Sequence, residues 1–65
     1  MITARGKPMD WHEGLTVAEV ARALGYDLPA AIARLNGRNV SRQEWSSTVV
    51  PDGAVLDVQV LMAGG

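Results

Sequence analysis

The hydrophobic pattern of this chain predicts an α+β domain: a mixed sheet of four or five strands with one amphipathic helix packed on one face. Short runs near both ends alternate with the two-residue period of strands. A single segment, Val17 to Leu24, repeats with the helical period and carries both a start and a stop signal. The 65 residues suffice for one domain. A fold of that size buries only about 60% of its unfolded surface, so the core is thin and a deep pocket is not expected.

The elements follow in order. Met1 to Arg5 alternates Ile2 and Ala4 with Thr3 and Arg5, and Pro8 to Glu13 alternates Met9 and Trp11 with Asp10 and His12. With a turn at Gly6-Lys7 between them, the two runs read as a β-hairpin. Thr16-Val-Ala-Glu19 is a capping box: the Thr hydroxyl can accept from the Glu amide and the Glu side chain can reach back. Leu15 is placed to staple onto Val20. Val17, Val20, Ala21 and Leu24 form one apolar stripe, Gly25 suits a left-handed cap, and Pro29 opposes a return to helix.

Ala30 to Asn36 is the third expected strand, with Ala31, Ala33 and Leu35 on one face and Ile32 and Arg34 on the other. Asn36-Gly37 is a strong turn signal before a short strand, Arg38 to Val40. Ser41 to Trp45 reads as a tight helical turn that returns Trp45 to the core. Thr48 to Val50 is extended, Pro51-Asp52-Gly53 is a turn, and Val55 to Leu61 is the clearest strand. First and last strands form the natural central pair. That order is the β-grasp, or ubiquitin-like, arrangement, and it occupies residues 1–65 as a single domain whose last residues, 61–65, form a flexible Gly-Gly tail.

Composition removes several classes of function. Residues are 48% hydrophobic and 20% charged, with both signs interspersed, as in a globular chain and unlike a disordered one. Six basic residues lie scattered among seven acids for a net charge of -1, so no basic stripe asks for nucleic acid. No apolar run is long enough to span a bilayer, and the first residues lack the apolar stretch of a signal peptide. No membrane partner is expected, and cytoplasmic residence is the default. With no cysteine there is no disulfide, thiol nucleophile, Cys-ligated zinc or iron–sulfur cluster. The single histidine, His12, cannot build a His-based metal cluster and reads as a solvated surface residue. No catalytic residue, no metal site and no bound cofactor are expected.

The C-terminus stands apart. A strong strand runs into Met62-Ala63-Gly64-Gly65 and the chain stops. Glycines lack a Cβ and are free in φ, so such an ending can be a frayed terminus. It can also be a reactive arm, thin enough to thread a narrow channel and presenting only the Gly65 carboxylate. A carboxylate is a poor electrophile. Adenylate transfer from ATP makes it an acyl-adenylate that a sulfur or nitrogen nucleophile can attack. A protein without a thiol that carries sulfur must carry it elsewhere, and a terminal thiocarboxylate is the available place.

Five segments belong together: Gly14-Leu15-Thr16-Val17, Leu35-Asn36-Gly37, Val40-Ser41-Arg42-Gln43-Glu44-Trp45, Pro51-Asp52-Gly53 and Val60-Leu61-Met62-Ala63-Gly64-Gly65. Taken together they resemble the ThiS family of sulfur carriers, relatives of MoaD and ubiquitin. The resemblance implies that a ThiF-type adenylyltransferase adenylates Gly65 with ATP. A cysteine desulfurase persulfide supplies sulfur, and ThiG, thiazole synthase, accepts it from the Gly65 thiocarboxylate during thiamin synthesis. ATP belongs to the partner, because no phosphate-cradling glycine loop opens a helix here. Ser41, Ala54 and Arg5-Gly6 depart from the family's usual residues. Leu61-Met62-Ala63 favours ThiS over a MoaD-like subunit of molybdopterin synthase. A ubiquitin-like protein modifier and a plain binding module with an inert tail are the other readings of the residues.

Among the remaining residues, Trp11 and Trp45 are expected in the core, since large aromatics dominate burial in small domains. Ile32, placed on the open face if its alanine neighbours face the helix, forms a candidate partner-docking patch with Leu61.

Overall fold

A computed structural model describes residues 1–26 and 30–60 of the chain. The elements in order are β1 (Ile2–Ala4), β2 (Lys7–Met9), α1 (Val17–Leu24), β3 (Ala31–Leu35), β4 (Arg38–Val40), a 3-10 turn (Arg42–Glu44) and β5 (Val55–Val60). The strands form one sheet in the order β2-β1-β5-β3-β4. β1 pairs parallel to β5, and the other neighbours are antiparallel. The first and last strands are thus adjacent, as the β-grasp requires.

Both hairpins turn on two residues with left-handed backbone: Arg5 and Gly6 (φ 52 and 80), and Asn36 and Gly37 (φ 51 and 83). This geometry matches the twist of the flanking strands, and it fixes the pairs Ala4↔Lys7 and Leu35↔Arg38. The first turn therefore sits one residue earlier than the Gly6-Lys7 expected from sequence. Asn36 also ties its hairpin to β5. Its N–H donates to the Val55 carbonyl at 2.8 Å, and its Oδ1 accepts from the Val55 N–H at 2.9 Å.

The helix has the expected bounds. Thr16 Oγ1 accepts from the Glu19 N–H at 3.3 Å. The reciprocal half of the capping box does not form; instead Glu19 Oε2 lies 3.3 Å from His12 Nε2. Distant chain completes the cap. Val17 N–H donates to the Thr48 carbonyl and Ala18 N–H to the Trp45 carbonyl, each at 3.0 Å. Two of the first-turn donors that a helix cannot satisfy internally are thus met by the Trp45 and Thr48 carbonyls. At the other end Gly25 takes φ 79, and Tyr26 N–H reaches the Ala21 carbonyl at 2.8 Å.

The second strand ends at Met9, not Glu13. Trp11 faces inward without belonging to the ladder, because its indole N–H needs an acceptor and finds the Val50 carbonyl at 2.7 Å. Trp11 is half-buried, whereas Trp45 is fully buried and donates to the Val40 carbonyl at 3.1 Å. The core lies between α1 and the sheet: Val17, Val20 and Ala21 from the helix, Ile2, Ala33, Leu56 and Val58 from the strands, and Trp45. Among the described residues no helix is long and apolar enough to cross a membrane.

Candidate functional site

The strand that leads to the C-terminus is held on both sides. β5 pairs with β1 at Thr3↔Val55 and Ala4↔Leu56, and with β3 from Leu35↔Leu56 to Ala31↔Val60. Val60, the last described residue, is therefore a paired residue at the end of an interior strand. Leu61, Met62, Ala63, Gly64 and Gly65, the expected tail and half of the expected docking patch, lie outside the described residues.

The period of two divides β5 cleanly. Leu56 and Val58 are buried toward the helix, while Val55, Asp57 and Gln59 are exposed on the open face. β3 does the same, burying Ala31 and Ala33 and exposing Ile32 and Arg34. Ile32 is thus where the sequence reading places it, 38% exposed and opposite Gln59 near the end of β5. It borders a groove of about 230 Å³ with Arg34, Asn39, Asp57 and Gln59. Arg34 Nε donates to Asn39 Oδ1 at 3.1 Å, which fixes one wall. Arg34 also stands opposite Asp57 in the ladder, so both signs of charge flank the isoleucine.

A second groove, of about 340 Å³, opens where β4 stops and the 3-10 turn begins. Ala31, Ile32, Val40, Arg42 and Glu44 line it. The Arg42 guanidinium lies 4.4 Å from the centre of the Trp45 ring. Sequence reading used Arg42 only as part of a family-like segment. The available signal was its spacing: residues three apart in a helical turn share a face.

The first groove holds one carboxylate, Asp57, and the second another, Glu44. His12 lines neither of them and is engaged by Glu19 and by the Glu13 carbonyl, 3.0 Å from Nδ1. Among the described residues no group of three or more His, Cys, Asp or Glu is placed to hold a metal ion.

A family model described as the ThiS family matches residues 2–65. The fold is similar to the crystal structure of a thiamine biosynthesis protein (ThiS) from Geobacter metallireducens, with 30% identity over 98% of this chain and 97% of that one and a TM-score of 0.76. It is also similar to a solution structure of a thiamine biosynthesis protein from the same organism, with 34% identity over 98% of this chain and 86% of that one and a TM-score of 0.73.

Proposed function

The chain belongs to the ThiS family, and from that premise we propose that it is a sulfur carrier of thiamin biosynthesis whose working group is the Gly65 carboxylate. A ThiF-type adenylyltransferase binds ATP, and the carboxylate oxygen attacks the α-phosphorus with loss of pyrophosphate. A persulfide sulfur generated by a cysteine desulfurase displaces AMP from the acyl-adenylate. A partner thiol then cleaves the S–S bond and leaves the thiocarboxylate. ThiG takes that sulfur for the thiazole ring. The chain itself supplies the carboxylate, its thin Ala63-Gly64-Gly65 approach and a docking face, and its partners supply the chemistry. ATP dependence assigns the cycle to the cytoplasm.

The observation that carries this reading is the family match, which runs through Gly65 itself. The fold supports it: β5, an interior strand paired with β1 at Val55 and Leu56 and with β3 as far as Val60, leads into the last residues of the chain. On the open face, Ile32 offers apolar contact beside that strand end, and Leu61 is its proposed companion.

The test is to incubate the protein with ATP, a ThiF-type enzyme, a cysteine desulfurase and cysteine, and to weigh it intact. The expected product has one carboxyl oxygen replaced by sulfur. No mass change, with the same partners active on a control carrier, refutes the proposal.

A further inference from the structure

The open face of the sheet carries its charges and its apolar side chains in a fixed order. Arg34 and Asp57 stand opposite each other on β3 and β5. The next rung on that face, toward Val60, is Ile32 with Gln59. On the other side of the charges lies Val55, bonded to Asn36 through both its N–H and its carbonyl. Ile32 and Val55 are large apolar side chains that the domain leaves 38% and 53% exposed. One acid and one base thus lie side by side, with an apolar residue before them and another after.

The two charges do not satisfy each other. Among the described residues Arg34 and Asp57 make no ion pair, although they share a rung. Arg34 Nε donates instead to Asn39 Oδ1 on β4 at 3.1 Å, which leaves the two terminal amino groups as a fork of donors. Arg5 follows the Ala4↔Leu56 pair on the far side of β5 and is turned to Tyr26. Its guanidinium lies 4.3 Å from the Tyr26 ring centre and bonds the hydroxyl. The carboxylate of Asp57 therefore stands between two arginines that are both engaged elsewhere.

A surface with that order is complementary to itself. Take a two-fold axis in the plane between two stacked sheets, parallel to the strands and midway between β3 and β5. It lays each β5 over the second copy's β3, so that each Arg34 faces the second copy's Asp57. The two Ile32 side chains come together on one side of the charges and the two Val55 side chains on the other, each pair offset by one strand spacing, about 4.8 Å. Only this in-plane axis exchanges the two positions of the charged rung.

We propose that a second copy of this chain covers the open face, in a two-fold dimer held by two Arg34–Asp57 ion pairs with Ile32 and Val55 packed beside their own mates. A face of β1, β5, β3 and β4, about five residues long, buries on the order of 300–400 Å² of each copy. That is below the standard size of about 800 Å² per partner, so the dimer belongs with weak, transient associations. It covers Ile32, and it and a docked partner exclude each other. That consequence rests on the docking reading of this face; the dimer itself does not.

The test uses the full chain and no partner enzyme. Sedimentation equilibrium of the wild type over a dilution series is expected to show a monomer–dimer equilibrium, with a dissociation constant on the order of 0.1–1 mM that rises with added salt. Arg34→Asp and Asp57→Arg each set like charges face to face twice, and each alone is expected to raise that constant about tenfold or more. In an equimolar mixture of the two variants every facing pair is again of opposite sign, and association is expected to return to near the wild-type level. Recovery in the mixture cannot come from a pair within one chain. Isotope-filtered NOEs between labelled and unlabelled wild-type copies, Ile32 to Ile32 and Val55 to Val55, decide the geometry without any variant if a charge reversal fails to fold. A wild type that stays monomeric at about 1 mM overturns the proposal. So does a dimer indifferent to both reversals, a mixture that does not recover, or a dimer without those NOEs. If the dimer behaves as expected while no ThiF-type enzyme adenylates the wild type, the dimer stands and the carrier reading fails.

Discussion

Replacing Ile32 by alanine tests the proposed docking face directly. Full burial of an isoleucine is worth about 1.5–3 kcal/mol. Ile32 is 38% exposed, so the part left for a partner to cover corresponds to about 0.6–1.1 kcal/mol. At about 1.4 kcal/mol per tenfold, Ile32→Ala should weaken docking about three- to sixfold. The assay is KM for the carrier in ATP–pyrophosphate exchange with a ThiF-type enzyme, with kcat unchanged. Ile32→Asp should do more, because it places a carboxylate where apolar contact forms, and KM should rise beyond about thirtyfold. The alanine variant also gives up the buried part of the side chain, about 1–2 kcal/mol, so rates are measured well below its melting temperature. Wild-type KM in both variants would refute the assignment of this face to docking.

Other expectations are direct. Deleting Gly65 abolishes adenylation while the melting temperature stays that of the wild type; Gly64→Val does nearly the same by bulk, and a fully active Gly64→Val disproves threading. Thr16→Ala removes the acceptor of the Glu19 N–H and costs about 1 kcal/mol, a drop of about 4–8 °C in a domain this small by thermal melting. Trp45→Ala empties the largest fully buried site and costs about 3–5 kcal/mol, most of the stability of such a domain, read by urea titration. Asn36→Ala loses both a residue that tolerates φ 51 and the acceptor of the Val55 N–H; the expected loss is about 1–2 kcal/mol in the same titration.

Much of the fold was legible because local chemistry and tertiary structure agree. Thr16 and Gly25 bound the helix from sequence as they do in space, and Asn36-Gly37 names its own turn. The alternation of Ala31, Ile32 and Ala33 puts Ile32 on the open face from sequence alone, as it stands in space. What local reasoning missed depends on distant chain. Asp10 to Glu13 keeps a strand's alternation, yet Trp11 is drawn off the ladder by the Val50 carbonyl, 39 residues away. Glu19 has the spacing of a capping box, but the imidazole of His12 claims its carboxylate. Arg42 comes to line a groove with Ala31 and Ile32 only through the β3–β4 hairpin and the 3-10 turn that follows it. The terminal glycines were conspicuous as chemistry, while the pairing that holds β5 emerges only from the sheet.

The pairing of β5 with a parallel neighbour on one side and an antiparallel one on the other has a mechanical consequence. A partner that grips the C-terminus and pulls loads β5 along its length. The bonds of Thr3 N–H to the Ala54 carbonyl and Arg5 N–H to the Leu56 carbonyl, with the ladder to β3, lie across that load. They are strained together in shear and cannot be opened one at a time, as the rungs of a hairpin pulled apart at its ends would be. The strand that leads into the C-terminus is therefore tied to the part of the sheet best arranged to resist being drawn out.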